Sequence, residues 1–190
     1  MTEQTLVAAL KRRDKAALSE VFERYSHKIY RLALSLLHDE QQADGVVQDT
    51  FLKLIEKIDS FEGRSSIGTW LYRVAYNEAM MRLRKAKPQL DLDDVGDNDL
   101  MPACMVNWRE LPEQVLSSHE AIEQMDRAIA SLSPGLRTVF TLRDVEELST
   151  RETANILDIS ESAVKVRLHR ARLALRESLA AYFEEQLAHE

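Results

Sequence analysis

Apolar residues in this chain recur at intervals of three and four, and nowhere do they alternate with polar ones over the length of a strand. Val21, Phe22, Tyr25, Ile29, Ala33, Leu36 and Leu37 follow that spacing, as do Val47, Phe51, Leu54, Ile55 and Ile58. Such a period places one apolar stripe on each helix and leaves no half-buried sheet to build. Only five Gly and four Pro interrupt 190 residues, so long helices are sustained. The predicted class is all-α.

Breaks in the pattern divide the chain. His38-Asp39-Glu40 separates two helices, and Asp59 to Ser66 is rich in turn and cap formers. Thr69 then opens a helix running to about Lys85, with Leu71, Val74, Ala75, Ala79 and Leu83 as its inner stripe. From Pro88 to about Pro112 no period survives, and Asp91, Asp93, Asp94, Asp97 and Asp99 crowd together. A segment of that length without pattern reads as a flexible acidic linker. Helical spacing returns from Glu113 to Ser131, and Ser133-Pro134 fits an N-cap followed by proline before a helix over 135–144. The expected organisation is a helical bundle over 1–87, a linker over 88–112 and a second helical domain over 113–190.

Net charge is −7, which taken alone argues against nucleic acid as a partner. The distribution reverses that reading. Arg64 to Lys87 holds six basic residues against Glu78, and Ser160 to Arg176 holds five against Glu161. Between them, Pro88 to Glu123 holds nine acids and only Arg109. The lone cysteine, Cys104, rules out a disulfide framework and suits a reducing cytoplasm. No apolar run reaches membrane-span length, and the first residues lack the order of a signal peptide.

Leu148 to Leu175 carries the most specific local pattern. Ser149 with Glu152 makes a capping box, and Asp158 stands at a sharp turn. Ser160 caps a second helix, and Ala154 is small where the two helices cross. This is a helix-turn-helix, whose second helix enters the major groove of DNA. Ser162, Lys165, Arg167, His169, Arg170 and Arg172 are its candidate contacts, with the cations suited to phosphates or guanine edges.

The chain resembles the extracytoplasmic-function (ECF) group of bacterial sigma factors from about Leu6 to Leu179. The resemblance rests on residues 43–53 (ADGVVQDTFLK), residues 69–77 (TWLYRVAYN) and the helix-turn-helix, in that order. It implies that 1–87 is a region 2-like bundle and 113–190 a region 4-like domain. Asp44, Gln48, Asp49, Phe51 and Leu52 match the helix that grips the clamp helices of the largest polymerase subunit. The second domain would meet the flap of the second-largest subunit. The loop 61–67 matches the part that captures an unstacked base of the minus-ten element, with Arg64, Ser65, Ser66, Tyr72 and Asn77 as pocket and backbone groups. Arg73, Arg82, Arg84 and Lys85 would neutralise phosphates, and the helix-turn-helix would read the minus-thirty-five element. Trp70 fits a core position better than a stacking one. The acidic linker would thread the polymerase as an electrostatic substitute for nucleic acid. An anti-sigma factor is the implied regulator, and only a membrane-bound one would bring the chain near a membrane. Neither catalytic activity nor a cofactor or metal is expected.

Gly45, Thr153, Asp158 and Arg13 depart from the family pattern, which usually has a larger residue, an aliphatic, a glycine and a glycine there. Three other classes fit less well. A response-regulator activator needs strands alternating with helices at its N-terminus. A helical metal-dependent phosphohydrolase, suggested by His38-Asp39, needs further ligands, whereas His27, His119, His169 and His189 are scattered. A protein-binding regulator of the anti-sigma kind would carry acid where this chain carries two basic patches.

Overall fold

The computed structural model describes residues 2–86 and 119–188, with side chains described over 2–86 and 123–180. The acidic linker 88–112 and Cys104 lie outside the described residues. Helix α1 spans Glu3–Lys11, α2 Lys15–Leu37, α3 Glu40–Lys57 and α4 Ile67–Ala86, with a 3-10 turn at Ile58–Ser60. The second half holds α5 (His119–Ser131), α6 (Pro134–Phe140), a π turn (Thr141–Val145), α7 (Thr150–Leu157) and α8 (Glu161–Ala188). No strand occurs among the described residues, and no described helix is long and apolar enough to cross a membrane.

Local chemistry sets the boundaries. Asp14 caps α2 by accepting from the Ala16 and Ala17 amides, and Asp39 caps α3 through the Gln42 amide at 2.9 Å. His38 ends α2 in the left-handed conformation, and Arg13 leaves α1 at φ 60. That φ lies in the left-handed region that favours glycine, the residue the family resemblance leads one to expect at position 13. Arginine bears the steric cost there and pairs with Asp59 at 2.8 Å.

Helices α2, α3 and α4 pack on one another around Val21, Ile29, Leu32, Ala33, Leu36, Val46, Leu54, Leu71 and Ala75. Helices α5, α6 and α7 pack on α8 around Val139, Phe140, Ile156, Val164 and Leu168. Phe22 and Ile55 sit on the apolar stripes by spacing, yet are 50% and 42% exposed.

The two halves also pack on each other. Helix α7 lies against α4, α6 and the π turn lie against α2, and the buried apolar residues of both halves form one cluster. The helix expected over 135–144 becomes α6 followed by a π turn, in which the Glu146 amide donates to the Thr141 carbonyl at 2.9 Å. The wider turn rotates the end of the helix and carries Glu146 inward.

Arg137 also ties the halves together and is 5% exposed. It donates to the Ile129 and Leu132 carbonyls at 3.0 and 2.5 Å, to Ala130, and across to the Ser35 carbonyl at 2.7 Å and to His38. Carbonyls at the ends of α2 and α5 lack intrahelical partners, and a cation suits the negative pole of both helices. Burial lowers the Arg137 pKa from its ordinary value. Replacing Arg137 with Ala should cost roughly 3 kcal/mol in urea unfolding, because several carbonyls lose their donor at once. Loss of less than about 1 kcal/mol would show that water replaces the guanidinium at little cost.

Candidate nucleic-acid interface

The helix-turn-helix is built as its sequence dictates. The Ser149 hydroxyl accepts from the Glu152 amide at 3.2 Å, while the Glu152 carboxylate accepts from the Ser149 amide at 2.9 Å. Asp158 closes α7 at φ 57, ψ 45, a conformation Asp tolerates better than most residues. Ser160 then caps α8 through the Ala163 amide at 3.1 Å. Ala154, Ile156, Leu157, Val164 and Leu168 are buried where α7 crosses α8.

On α8, Ser162, Lys165, His169 and Arg176 fall on one stripe by helical spacing, away from the buried Val164, Ala171 and Leu175. Ser162, Lys165 and Arg176 are exposed, and His169 is half-buried. Arg170 lies between that stripe and the buried face, whereas Arg167 lies nearly opposite the stripe with its Nε buried; both are half-buried. Arg172 does different work. Its guanidinium forks onto Asp144 at 2.8 and 2.6 Å and ties α8 to the π turn. These hydrogen bonds hold the Arg172 pKa above its usual value.

On α4, Arg73, Asn77 and Arg84 form an exposed stripe with Met81, and Lys85 is exposed beyond it. Trp70 is half-buried at the head of this stripe, edge-on to Phe61 with ring centroids 6.2 Å apart. The loop before α4 exposes Arg64, which pairs with Glu62, and half-buries Ser65 and Ser66. Ser66 caps α4 through the Thr69 amide at 3.0 Å. Beside this loop, Glu3, Val7, Lys11, Phe61, Arg64 and Ser66 line an open cleft of about 700 Å³. Glu3 accepts from the Ile67 amide at 2.6 Å, and Lys11 donates to the Phe61 carbonyl at 2.9 Å.

Two predicted contacts are drawn elsewhere. Arg82 folds back over α3, bonding Asp49 at 2.5 Å and the Gln42 side chain and carbonyl at 3.0 and 3.2 Å. A Cβ at Gly45 would stand 2.5 Å from the Arg82 Nη1, so glycine makes room for the guanidinium. Tyr72 is 2% exposed beneath the second half. Burial, then the hydrogen bond its hydroxyl donates to Glu146 at 2.8 Å, push its pKa well above the usual tyrosine range.

On the α3 face, Asp44, Gln48 and Leu52 are exposed, Leu52 by 57%. Phe51 is half-buried and packs on Phe22 at 4.8 Å, while Asp49 is held by Arg82. Exposed Phe22, Leu52 and Ile55 add an apolar patch that helical spacing alone had assigned partly to the core. Among the described residues, no group of three or more His, Cys, Asp or Glu could hold a metal ion.

Two helical units in this order, the second a helix-turn-helix and each with a basic stripe, define a class: a bipartite transcription factor. The family models agree in detail. Residues 21–89 match Sigma-70 region 2, and residues 122–175 match Sigma-70, region 4. The chain is 35% identical over 176 residues to the ECF RNA polymerase sigma factor SigW of Bacillus subtilis, covering 91% of this chain and 94% of that one. It is 33% identical over 178 residues to the ECF RNA polymerase sigma-E factor of Escherichia coli, covering 92% and 93%. The sigma factor RpoE of Bartonella quintana, solved in complex with the anti-sigma factor NepR, matches with TM-score 0.65 and 26% identity over 85% of this chain and 96% of that one. The chain belongs to the ECF sigma factors of RNA polymerase.

The capping box yields a pH-dependent prediction. Hydrogen bonds from the Ser149 hydroxyl and amide lower the Glu152 pKa. Its stabilisation is therefore complete above the ordinary carboxylate range and is lost as pH falls through the lowered folded value. Replacing Ser149 with Ala should cost about 1 kcal/mol near neutral pH. In urea unfolding, the gap between wild type and variant should narrow in acid. A gap that stays constant would show that the carboxylate adds nothing to the cap.

Proposed function

We propose that this chain recruits core RNA polymerase to promoters by docking through the α3 face and presenting α4 and α8 to two DNA elements. The observation that carries this reading is the pair of basic stripes on separate regions, Arg73–Asn77–Arg84 on α4 and Ser162–Lys165–His169–Arg176 on α8. The α4 stripe and the 61–67 loop would take the minus-ten strand, with the neighbouring cleft as space for an unstacked base. Flipping a base costs a few kcal/mol, which stacking and phosphate contacts must offset. Helix α8 would read the minus-thirty-five element in the major groove, with Arg170 reaching phosphates from beside the stripe and Arg167, turned toward the core, acting on the shape of the helix. Arg172 and Arg82 would act one step back, holding the reading and docking surfaces in shape. The second region would also meet the polymerase flap, and an anti-sigma factor would cover the docking faces of both regions. The reaction belongs to the polymerase in the cytoplasm, and this chain contributes no catalytic group.

Geometry adds one requirement. The two elements are about 25 base pairs apart, roughly 85 Å of duplex. With α7 packed on α4, region 4 cannot stand that far from region 2, so the halves must separate on the promoter. The 32 residues between Ala86 and His119 can reach that far at up to ~3.5 Å each.

Reconstituted transcription tests the reading: core polymerase plus this protein on a genomic fragment library should start RNA chains at defined sites. Replacing Arg170 with Ala should weaken minus-thirty-five recognition by about 1–3 kcal/mol and leave polymerase affinity unchanged. Asp49→Lys should do the opposite. Because that change also sets a cation against Arg82, Leu52→Asp is its companion, expected to lower core affinity about tenfold. Equal loss of both activities in either class of variant would show the surfaces to be misassigned.

A further inference from the structure

Glu146 is the most deeply buried carboxylate in the contact between the halves, its side chain wholly shielded from solvent. Its Oε1 accepts from Arg31 Nη2 at 2.6 Å and Nε at 3.0 Å, and its Oε2 accepts from the Tyr72 hydroxyl at 2.8 Å. Lys28 Nζ stands 3.9 Å away. Every one of these donors belongs to region 2, and the anion belongs to region 4. Lys28 and Arg31 are three apart on α2 and share one face, with side chains 43% and 45% exposed. Among the described residues, Glu146 is the acid paired with Arg31.

Take Glu146 away, as separation on the promoter requires, and region 2 is left with an unfilled anion site. Two cations and a phenolic hydroxyl converge there, beside α4 and a few residues from Ser66 and Thr69. Such a set is suited to an anion that presents two oxygens, which both a carboxylate and a phosphodiester do. A second acid of region 4 lies along the same flank, since Glu152 Oε1 is 3.5 Å from the Thr69 hydroxyl. Region 4 thus covers the flank of the strand-reading helix with its own carboxylates.

We propose that Lys28, Arg31 and Tyr72 form a phosphate site for the promoter strand, which Glu146 fills as an internal substitute in the free factor. This inference rests on the DNA-reading role of region 2 proposed above and adds two α2 cations to it. It also gives the closed form a function. DNA must displace Glu146 to reach the site, so the free factor is held off DNA and the opened one gains contacts. A purely structural ion pair would hold the halves together as well, but it would add nothing to DNA affinity once they part.

The test is fluorescence anisotropy with a labelled single-stranded DNA of fixed length, titrated over a range of salt. Glu146→Gln keeps the shape and removes the charge, and it should bind at least fivefold tighter than wild type. Adding Arg31→Ala or Lys28→Ala should cancel that gain and lower the salt slope by about 0.7 for each cation removed. If Glu146→Gln opens the molecule in small-angle scattering without tightening DNA, the cluster is only a tie and the inference is wrong. A gain that survives loss of Arg31 overturns it as well. Should Glu146→Gln fail to fold, Arg31→Ala in the assembled holoenzyme decides: promoter affinity should fall severalfold with core affinity unchanged. A fall in core affinity instead would assign the anion to the polymerase and overturn the proposal. Arg73→Ala distinguishes failure of this site from failure of the wider role. If it weakens DNA binding and Arg31→Ala does not, only this inference fails. If neither does, the DNA-reading role of region 2 fails with it.

Discussion

One buried carboxylate, Glu146, is the charged centre of the contact between the two regions of this sigma factor, which Arg137 and a shared apolar cluster also hold. Taking an ion such as Glu146 out of water costs several kcal/mol, and the cost is recovered only when its oxygens are matched by donors and opposite charge. Arg31, Lys28 and Tyr72 supply that match from region 2. Because desolvation and attraction largely cancel, the contact specifies an arrangement more than it strengthens one.

The joint depends on local geometry in each half. The π turn after α6 sets Glu146 facing inward, and Arg172 on Asp144 fixes that turn to α8. Arg137 fastens the same half to the end of α2 through the Ser35 carbonyl. On the region 2 side, α4 carries two separate faces. Arg73, Asn77 and Arg84 face solvent, whereas Thr69 and Tyr72 lie under region 4. Closure therefore covers one flank of α4 and leaves its outer stripe exposed. If the halves part as proposed, any partner that binds only the open or only the closed arrangement shifts the balance by its differential affinity.

What could be read from sequence was what adjacent residues decide. Asp39, Ser149 with Glu152 and Ser160 each act on amides within three residues, Asp158 itself takes the left-handed turn, and each cap or turn forms where the residues indicate. The helical class and the two matched regions follow from periodicity and motif order. Contacts between distant residues left no such mark. Nothing near position 31 announces position 146, and the π turn preserves an apolar spacing that reads as ordinary helix. Charge counting had a related blind spot: Arg82 and Arg172 add to the basic patches by formal charge, yet both are paired with acids. The departures from family pattern now have local accounts. Gly45 admits Arg82, and Arg13 takes a left-handed φ. Thr153, fully buried, leaves its hydroxyl without a hydrogen-bond partner where an aliphatic is usual, at a desolvation cost of about 1–3 kcal/mol.

The packing of region 4 on region 2 in the free molecule is the claim most open to direct measurement. Spin labels at Lys57→Cys and Arg176→Cys, both exposed positions, in a Cys104→Ser background would report the separation by pulsed dipolar spectroscopy. One narrow distance distribution is predicted for the free chain, giving way to a longer one when core polymerase is added. A broad distribution in the free chain, unchanged by the polymerase, would contradict it.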